Sequence, residues 1–280
     1  MDIELPKWTE YKCKAVNFIY ECKMKLNWKT LTDNTVMDVR CGMYFSCCRA
    51  ILNIYPNVGS VIALQNSRIC NDKIFPDESF EKHVDDLKIT FSVADIETRI
   101  SLQDYKGKID KIVSWNTFHE IRDKERALES IFSMLKPGGE VAISFYLRNA
   151  TYAWQWKMFS IGKWNQYLTD HVIPYFPGIL DPKYYKETLK DIGFHHVLTE
   201  TKNYNENFCN DRECLECLLK IASNFFSIPP HRMNEFKIDS LQAFREMIMI
   251  CLSFIGFHFL NSFNFHPLLV QNCVAWHEEF

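Results

Sequence analysis

Apolar residues between Glu10 and Leu26 recur at helical spacing, with Tyr11, Ala15, Phe18, Ile19 and Cys22 on one face, so the chain opens on an amphipathic helix. A turn-forming Thr32-Asp33-Asn34 precedes the short apolar run Val36 to Arg40, the texture of a parallel strand buried on both faces. Ser46 to Tyr55 then reads as a helix ending before Pro56. Four more strands are expected at Ser60 to Leu64, Ile89 to Val93, Ile109 to Trp115 and Glu140 to Phe145. Between the last two, Leu128, Ile131, Phe132 and Leu135 form one apolar stripe that stops at Lys136-Pro137-Gly138-Gly139.

Strands alternating with helices call for parallel strands joined by crossovers. The expected fold is α/β, a doubly wound and mainly parallel seven-stranded sheet of Rossmann-like type with a helical cap or insertion. One domain is expected over residues 1–280, with a cofactor-binding half at 30–147 and a helical insertion plus substrate-side elements at 148–280.

Past Phe145 the texture changes, with Trp154, Trp156, Phe159, Trp164, Tyr167, Tyr175 and Phe176 crowded together. A lid over a ligand and an ordinary core both fit this run. A helix with Asp181 as cap and Pro182 at its first position should end at Gly193, followed by a strand from His195 to Thr201. No Lys, Arg, Asp or Glu occurs from Met247 to His277. The nearly all-apolar part, Met247 to Leu260, is shorter than the roughly 20 residues that span a bilayer. A buried helix and a last strand at Leu268 to Trp276 are expected there, with no membrane span.

Composition narrows the field only modestly. The 47% hydrophobic and 24% charged content describe a globular chain, and the net charge of −3 comes without a basic strip, which argues against nucleic acid as a partner. The amino-terminal MDIELPKWTEYKCK lacks the apolar run of a secretory signal, so a cytoplasmic protein is expected. Its 11 cysteines suit reduced, buried thiols in that setting. Cys209, Cys214 and Cys217 superficially echo an iron–sulfur spacing, but Cys214, Leu218 and Ile221 follow a helical face, and no metal is expected.

In an open parallel sheet a ligand lies beyond the carboxyl ends of the strands, where strand order reverses. The first such end reads VMDVRCGMYF, Val36 to Phe45. An acid followed by glycines would let backbone approach a cofactor closely. Here Asp38 supplies an acid and Gly42 one glycine, with Arg40 and Tyr44 on either side of it. The second strand ends on Gln65, whose amide can accept one hydrogen bond without charge assistance. The third runs into Asp95 and Ile96, an acceptor and an apolar wall, although Asp95 equally suits a turn cap. The fourth leads through Trp115 into NTFHEIRD.

Taken with LKPGGEVAISF, these segments resemble the juvenile hormone acid O-methyltransferases of insects over nearly the whole chain. That family's first loop usually looks like DLGCGDG, its second strand ends near CDIS, and LHWIRD follows its fourth. Asp38, Cys41, Gly42, Asp95, His119, Arg122 and Asp123 match, whereas Arg40, Met43, Tyr44, Gln65 and Glu120 depart. The resemblance implies a class I methyltransferase fold, S-adenosylmethionine as cofactor, and methylation of a small apolar carboxylic acid of the farnesoic or juvenile hormone acid kind. Asp38, Arg40, Gly42, Gln65, Asp95, Ile96 and Trp115 then face the cofactor. His119 is the candidate catalytic residue, and Tyr11, Glu120 and Trp154 are the candidate substrate contacts.

An acceptor carboxylate is already ionised at neutral pH, so transfer needs alignment and dehydration rather than a general base. Arg40 and Tyr44 leave two readings open. In one, the Arg40 guanidinium pairs with the cofactor's carboxylate in an active enzyme. In the other, a relative that has lost catalysis binds a lipid-like ligand or a protein partner. A homodimer is compatible with either.

Overall fold

The computed structural model describes residues 8–42, 45–66, 89–169, 181–206, 210–253 and 266–276, without side chains at 8–13, 148, 182, 203–206, 249–253 and 266–276. Its strands are β1 (Thr35–Val39), β2 (Ser60–Gln65), β3 (Ile89–Val93), β4 (Ile109–Trp115), β5 (Leu135–Asn149), β6 (His195–Glu206) and β7 (His266–Trp276). The helices are α1 (Trp8–Lys25), α2 (Ser46–Ile54), α3 (Lys124–Met134), α4 (Ala150–Ser160), α5 (Gly162–Asn165), α6 (Pro182–Ile192), α7 (Asp211–Ala222) and α8 (Met233–Ser253).

Strand order is β3-β2-β1-β4-β5-β7-β6. The run from β3 to β5 is parallel throughout, so the expectation of a mainly parallel, Rossmann-like sheet holds. Order reverses at β1, whose neighbours are β2 on one side and β4 on the other. Val36, Met37 and Val39 are fully buried, as they must be in a strand covered on both faces.

Two compact units divide the chain. The first draws on Met1–Phe145, Asp181–Glu200 and Gln271–Phe280, and the second on Tyr146–Leu180 and Thr201–Val270. The stretch Asp181–Glu200 thus belongs to the first unit. In that unit α1 lays Ala15, Phe18, Ile19 and Cys22 against Cys47, Cys48 and Ile51 of α2 in one core. Asp123 caps α3 by accepting from the Arg126 N–H at 3.0 Å, and Asp181 caps α6 by accepting from the Lys183 N–H at 2.9 Å. Gly193 ends α6 at φ 117°, with the Phe132 ring 2.9 Å from where a Cβ would stand. Both conformation and space require glycine there.

Two expected strands are corrected in extent. β5 begins at Leu135 rather than Glu140, because Leu135 already pairs with Ile109; residues 136–139 then bulge before Glu140 pairs with Lys111. Lys136 turns back to bind Asp110 at 2.8 Å. β6 likewise runs on to Glu206, past the Thr201 expected.

The helices of the second unit bury part of the aromatic run, whereas Trp156 is 46% exposed and Tyr175 and Phe176 lie outside the described residues. Trp154 and Trp164 are fully buried beside Leu218, Phe226, Phe236 and Phe244. Trp164 packs edge-on to Phe236 at 5.1 Å and donates from Nε1 to Asp239 at 2.9 Å. Cys214 is buried in this core and Cys217 is exposed, while Cys209 lies outside the described residues. Among the described residues, no helix is long and apolar enough to cross a membrane, and no cluster of His, Cys, Asp or Glu is placed to hold a metal ion.

Candidate active site

Parallel pairing gathers the expected ligand-facing residues at one edge of the sheet. Asp38 is in register with Ala63 of β2 and Val113 of β4. Gln65 closes β2 opposite Val93, the last residue of β3, and Trp115 closes β4. Asp38, Gln65, Asp95 and Trp115 therefore sit at or just beyond the carboxyl ends of four neighbouring strands.

Asp38 is buried to 2% exposure. Burial pushes its carboxyl up to about 7 against a partial offset from Cys48, whose thiol donates to Oδ2 at 3.3 Å. Burial and the nearby Asp38 charge also push the Cys48 thiol up, so Cys48 stays protonated and able to donate. Sequence reading had not singled out Cys48 as this partner; its legible trace is a position on the buried face of the following helix.

Beyond β1 the backbone turns left-handed at Arg40 (φ 57°), Gly42 (φ 67°) and Phe45 (φ 49°). The Cys41 N–H donates to the Leu64 carbonyl at 3.1 Å and ties this loop to β2. Among the described residues, no heavy atom beyond its chain neighbours lies within 4 Å of the Cβ position of Gly42. Met43 and Tyr44 lie outside the described residues. Arg40 does not point away from the sheet edge: its Nη2 bonds the Glu120 carboxylate at 2.7 Å, with the two side chains only 6% and 11% exposed.

Gln65 is buried, and its backbone carbonyl accepts from the Ala94 N–H at 2.9 Å. Asp95 takes up the capping role open to it, Oδ1 accepting from the Glu97 N–H at 3.0 Å, while Ile96 is buried beside it. Glu97 then reaches across to accept from the Asp123 N–H at 2.8 Å, joining the β3 loop to the β4 loop. Past Trp115, Asn116 adopts φ 56° and donates its N–H to the Ser144 carbonyl at 2.8 Å. The Asn116 Oδ1 is buried without a hydrogen-bond partner among the described residues. Sequence reading had passed over Asn116, although Asn is a residue that tolerates a left-handed turn.

His119 and Glu120 share a short 3-10 turn, Phe118–Glu120. Phe118 anchors it on Phe145 at 5.3 Å, and Phe145 stacks edge-on to Tyr185 at 5.4 Å. His119 is fully buried. Burial, reinforced by the Lys124 and Arg40 cations, pulls its imidazole down to about 3, so it is neutral at physiological pH. For Glu120 burial pushes the carboxyl up, and Arg40 opposes that shift.

Two further substrate candidates are Tyr11 and Trp154. Tyr11 falls in α1, but its side chain is outside the described residues. Trp154 belongs to the core of the second unit, the packing role that the sequence left open for it.

Residues 31–197 match the family model for a methyltransferase domain. The chain is 26% identical over 267 residues to juvenile hormone acid O-methyltransferase of Bombyx mori, covering 92% of this chain and 91% of that protein. The Drosophila melanogaster protein of the same name is 25% identical over 117 residues, 40% of this chain and 39% of its own. Among solved structures, the YcgJ protein of Bacillus subtilis superposes with a TM-score of 0.59 at 11% identity, covering 96% of this chain and 100% of that one. Phosphoethanolamine N-methyltransferase 2 of Haemonchus contortus, solved with S-adenosyl-L-methionine, gives 0.53 at 15% identity over 94% of this chain and 52% of its own. At such identities the likeness is one of fold.

Proposed function

Since the chain belongs to the methyltransferase domain family, we propose that it is an S-adenosylmethionine-dependent methyltransferase acting on the carboxylate of a small apolar acid. One observation carries this reading: Asp38, Gln65, Asp95 and Trp115 line up at the carboxyl ends of four adjacent parallel strands, around the point where strand order reverses. The local chemistry fits such a cofactor. Among the described residues, Gly42 has open space around its Cβ position over a left-handed backbone and the buried Arg40 Nε has no hydrogen-bond partner.

When bound, S-adenosylmethionine would supply a methyl group on a sulfonium centre. The residues of this chain would hold it: Gly42 by backbone approach, Gln65 as an acceptor, Asp95 and Ile96 at the adenine end, and Trp115 as an apolar wall. An ionised acceptor carboxylate needs no base, which suits a neutral, buried His119 serving to orient rather than to take a proton. Alignment of this kind is worth up to about 7–11 kcal/mol of a barrier. The choice of an apolar acid rests on the silkworm relative's name together with the aromatic richness of the sequence.

A second reading draws on the same loop. The Arg40–Glu120 pair crosses the edge where a cofactor would lie, as in a relative that has given up transfer. Calorimetric titration with S-adenosylhomocysteine separates the two. The enzyme reading expects a Kd below about 100 μM, and silence up to millimolar concentration removes it.

A further inference from the structure

Arg40 and Glu120 lie 80 residues apart in sequence and bond each other at 2.7 Å. One follows β1 and the other follows β4, so the bond spans the two strands between which order reverses. We infer that this pair is the receptor for the amino-acid end of the methyl donor, Arg40 taking the α-carboxylate and Glu120 the α-ammonium. The inference rests on the methyl-donor reading and deepens it.

Charge conservation selects the ligand class. Both side chains are nearly out of water, so neither can lose its partner cheaply. A simple anion arriving at Arg40 would strand the Glu120 carboxylate, and a simple cation at Glu120 would strand the guanidinium. A zwitterion inserted between them gives each a partner of the right sign and leaves the net charge of the site unchanged.

Hydrogen-bonding capacity points the same way. Glu120 engages Nη2 of Arg40 while the buried Nε has no partner among the described residues, so a planar carboxylate that takes the place of Glu120 at Nη2 gains Nε as a second donor. Asp38, the acid on β1 just before the loop, is turned to the Cys48 thiol. Glu120 is therefore the better placed anion for an ammonium. In ordinary glycine loops backbone N–H groups approach the ligand; here a left-handed arginine and its carboxylate partner supply charge in their place.

The test compares S-adenosylhomocysteine with 5′-methylthioadenosine, which keeps the adenosyl thioether but lacks the amino-acid end. The wild type should favour the former at least tenfold. In the doubly neutral Arg40→Gln/Glu120→Gln variant that preference should vanish while methylthioadenosine affinity is kept. Equal binding of both compounds by the wild type overturns the receptor and leaves the methyl-donor reading standing. A preference that survives in the variant, or tighter S-adenosylhomocysteine binding by it, also overturns the receptor, the latter marking the pair as an obstruction. If neither compound binds the wild type, the methyl-donor reading falls and the receptor with it. Should the variant not fold, the wild type is titrated with S-adenosylhomocysteine amidated at its carboxyl or acetylated at its amine. Each blocked end must weaken binding at least tenfold, and undiminished affinity for either overturns the assignment.

Discussion

Arg40, in the turn after β1, and Glu120, in the turn after β4, form a buried ion pair at 2.7 Å. Each would be poorly tolerated alone. A left-handed arginine costs roughly 1–2 kcal/mol of backbone strain, and an unpaired buried carboxylate costs more.

Their energies should therefore be coupled. Glu120→Ala is expected to destabilise the protein by about 3 kcal/mol or more, whereas Arg40→Ala/Glu120→Ala should lose clearly less than the two single changes added together. Urea unfolding of the four proteins reads the coupling, and additive losses would show that the pair is not a unit. Arg40→Gly should also be about 1 kcal/mol more stable than Arg40→Ala, since glycine accepts φ 57°.

Asp38 and His119 should give opposite pH dependences. The Asp38 carboxyl is raised from 3.8 to about 7, so its contribution is complete below 3.8 and is lost as pH rises through about 7. The His119 imidazole is lowered from 6.5 to about 3, so its contribution is complete above 6.5 and is lost as pH falls through about 3. Between 3.8 and 6.5 the two slopes, each about 1.4 kcal/mol per pH unit at most, oppose one another. Asp38→Asn should thus lose stability on acidification, and His119→Asn on alkalinisation, relative to the wild type. Unfolding free energies across this range with the same slope in all three proteins would refute the assignment.

A direct measurement is available for His119 as well. Its imidazole should stay neutral down to pH 5, visible by NMR as ring resonances that do not move while exposed histidines titrate. A midpoint near 6.5 would mean that the ring is not enclosed as described.

Gly193→Ala should destabilise by roughly 2 kcal/mol, from strain at φ 117° and crowding against Phe132 at 2.9 Å. Gly162, with open space around its Cβ position and no left-handed φ, is the control, and Gly162→Ala should be neutral within about 0.5 kcal/mol. Thermal unfolding of both checks this, and equal melting temperatures would contradict it.

Much of the fold can be read along the chain because it is written locally. The β-branched run at Val36, the caps Asp123 and Asp181 and the stop at Gly193 each act within a few residues, and period alone separates their helices from their strands. The bulge at 136–139 was not legible, because it arises from Leu135 pairing with Ile109, a contact distant in sequence.

For the site, sequence alone determined which residue types stand after each strand, and so that Asp38, Gly42, Gln65, Asp95 and Trp115 share one edge once the strands run parallel. Tertiary structure decided what those residues do to one another. Pairing β1 beside β4 brings Arg40 onto Glu120, burial turns Asp38 toward Cys48, and His119 loses its water and with it its charge. Dielectric environment and through-space charge are properties of the packed chain, and no local pattern encodes them.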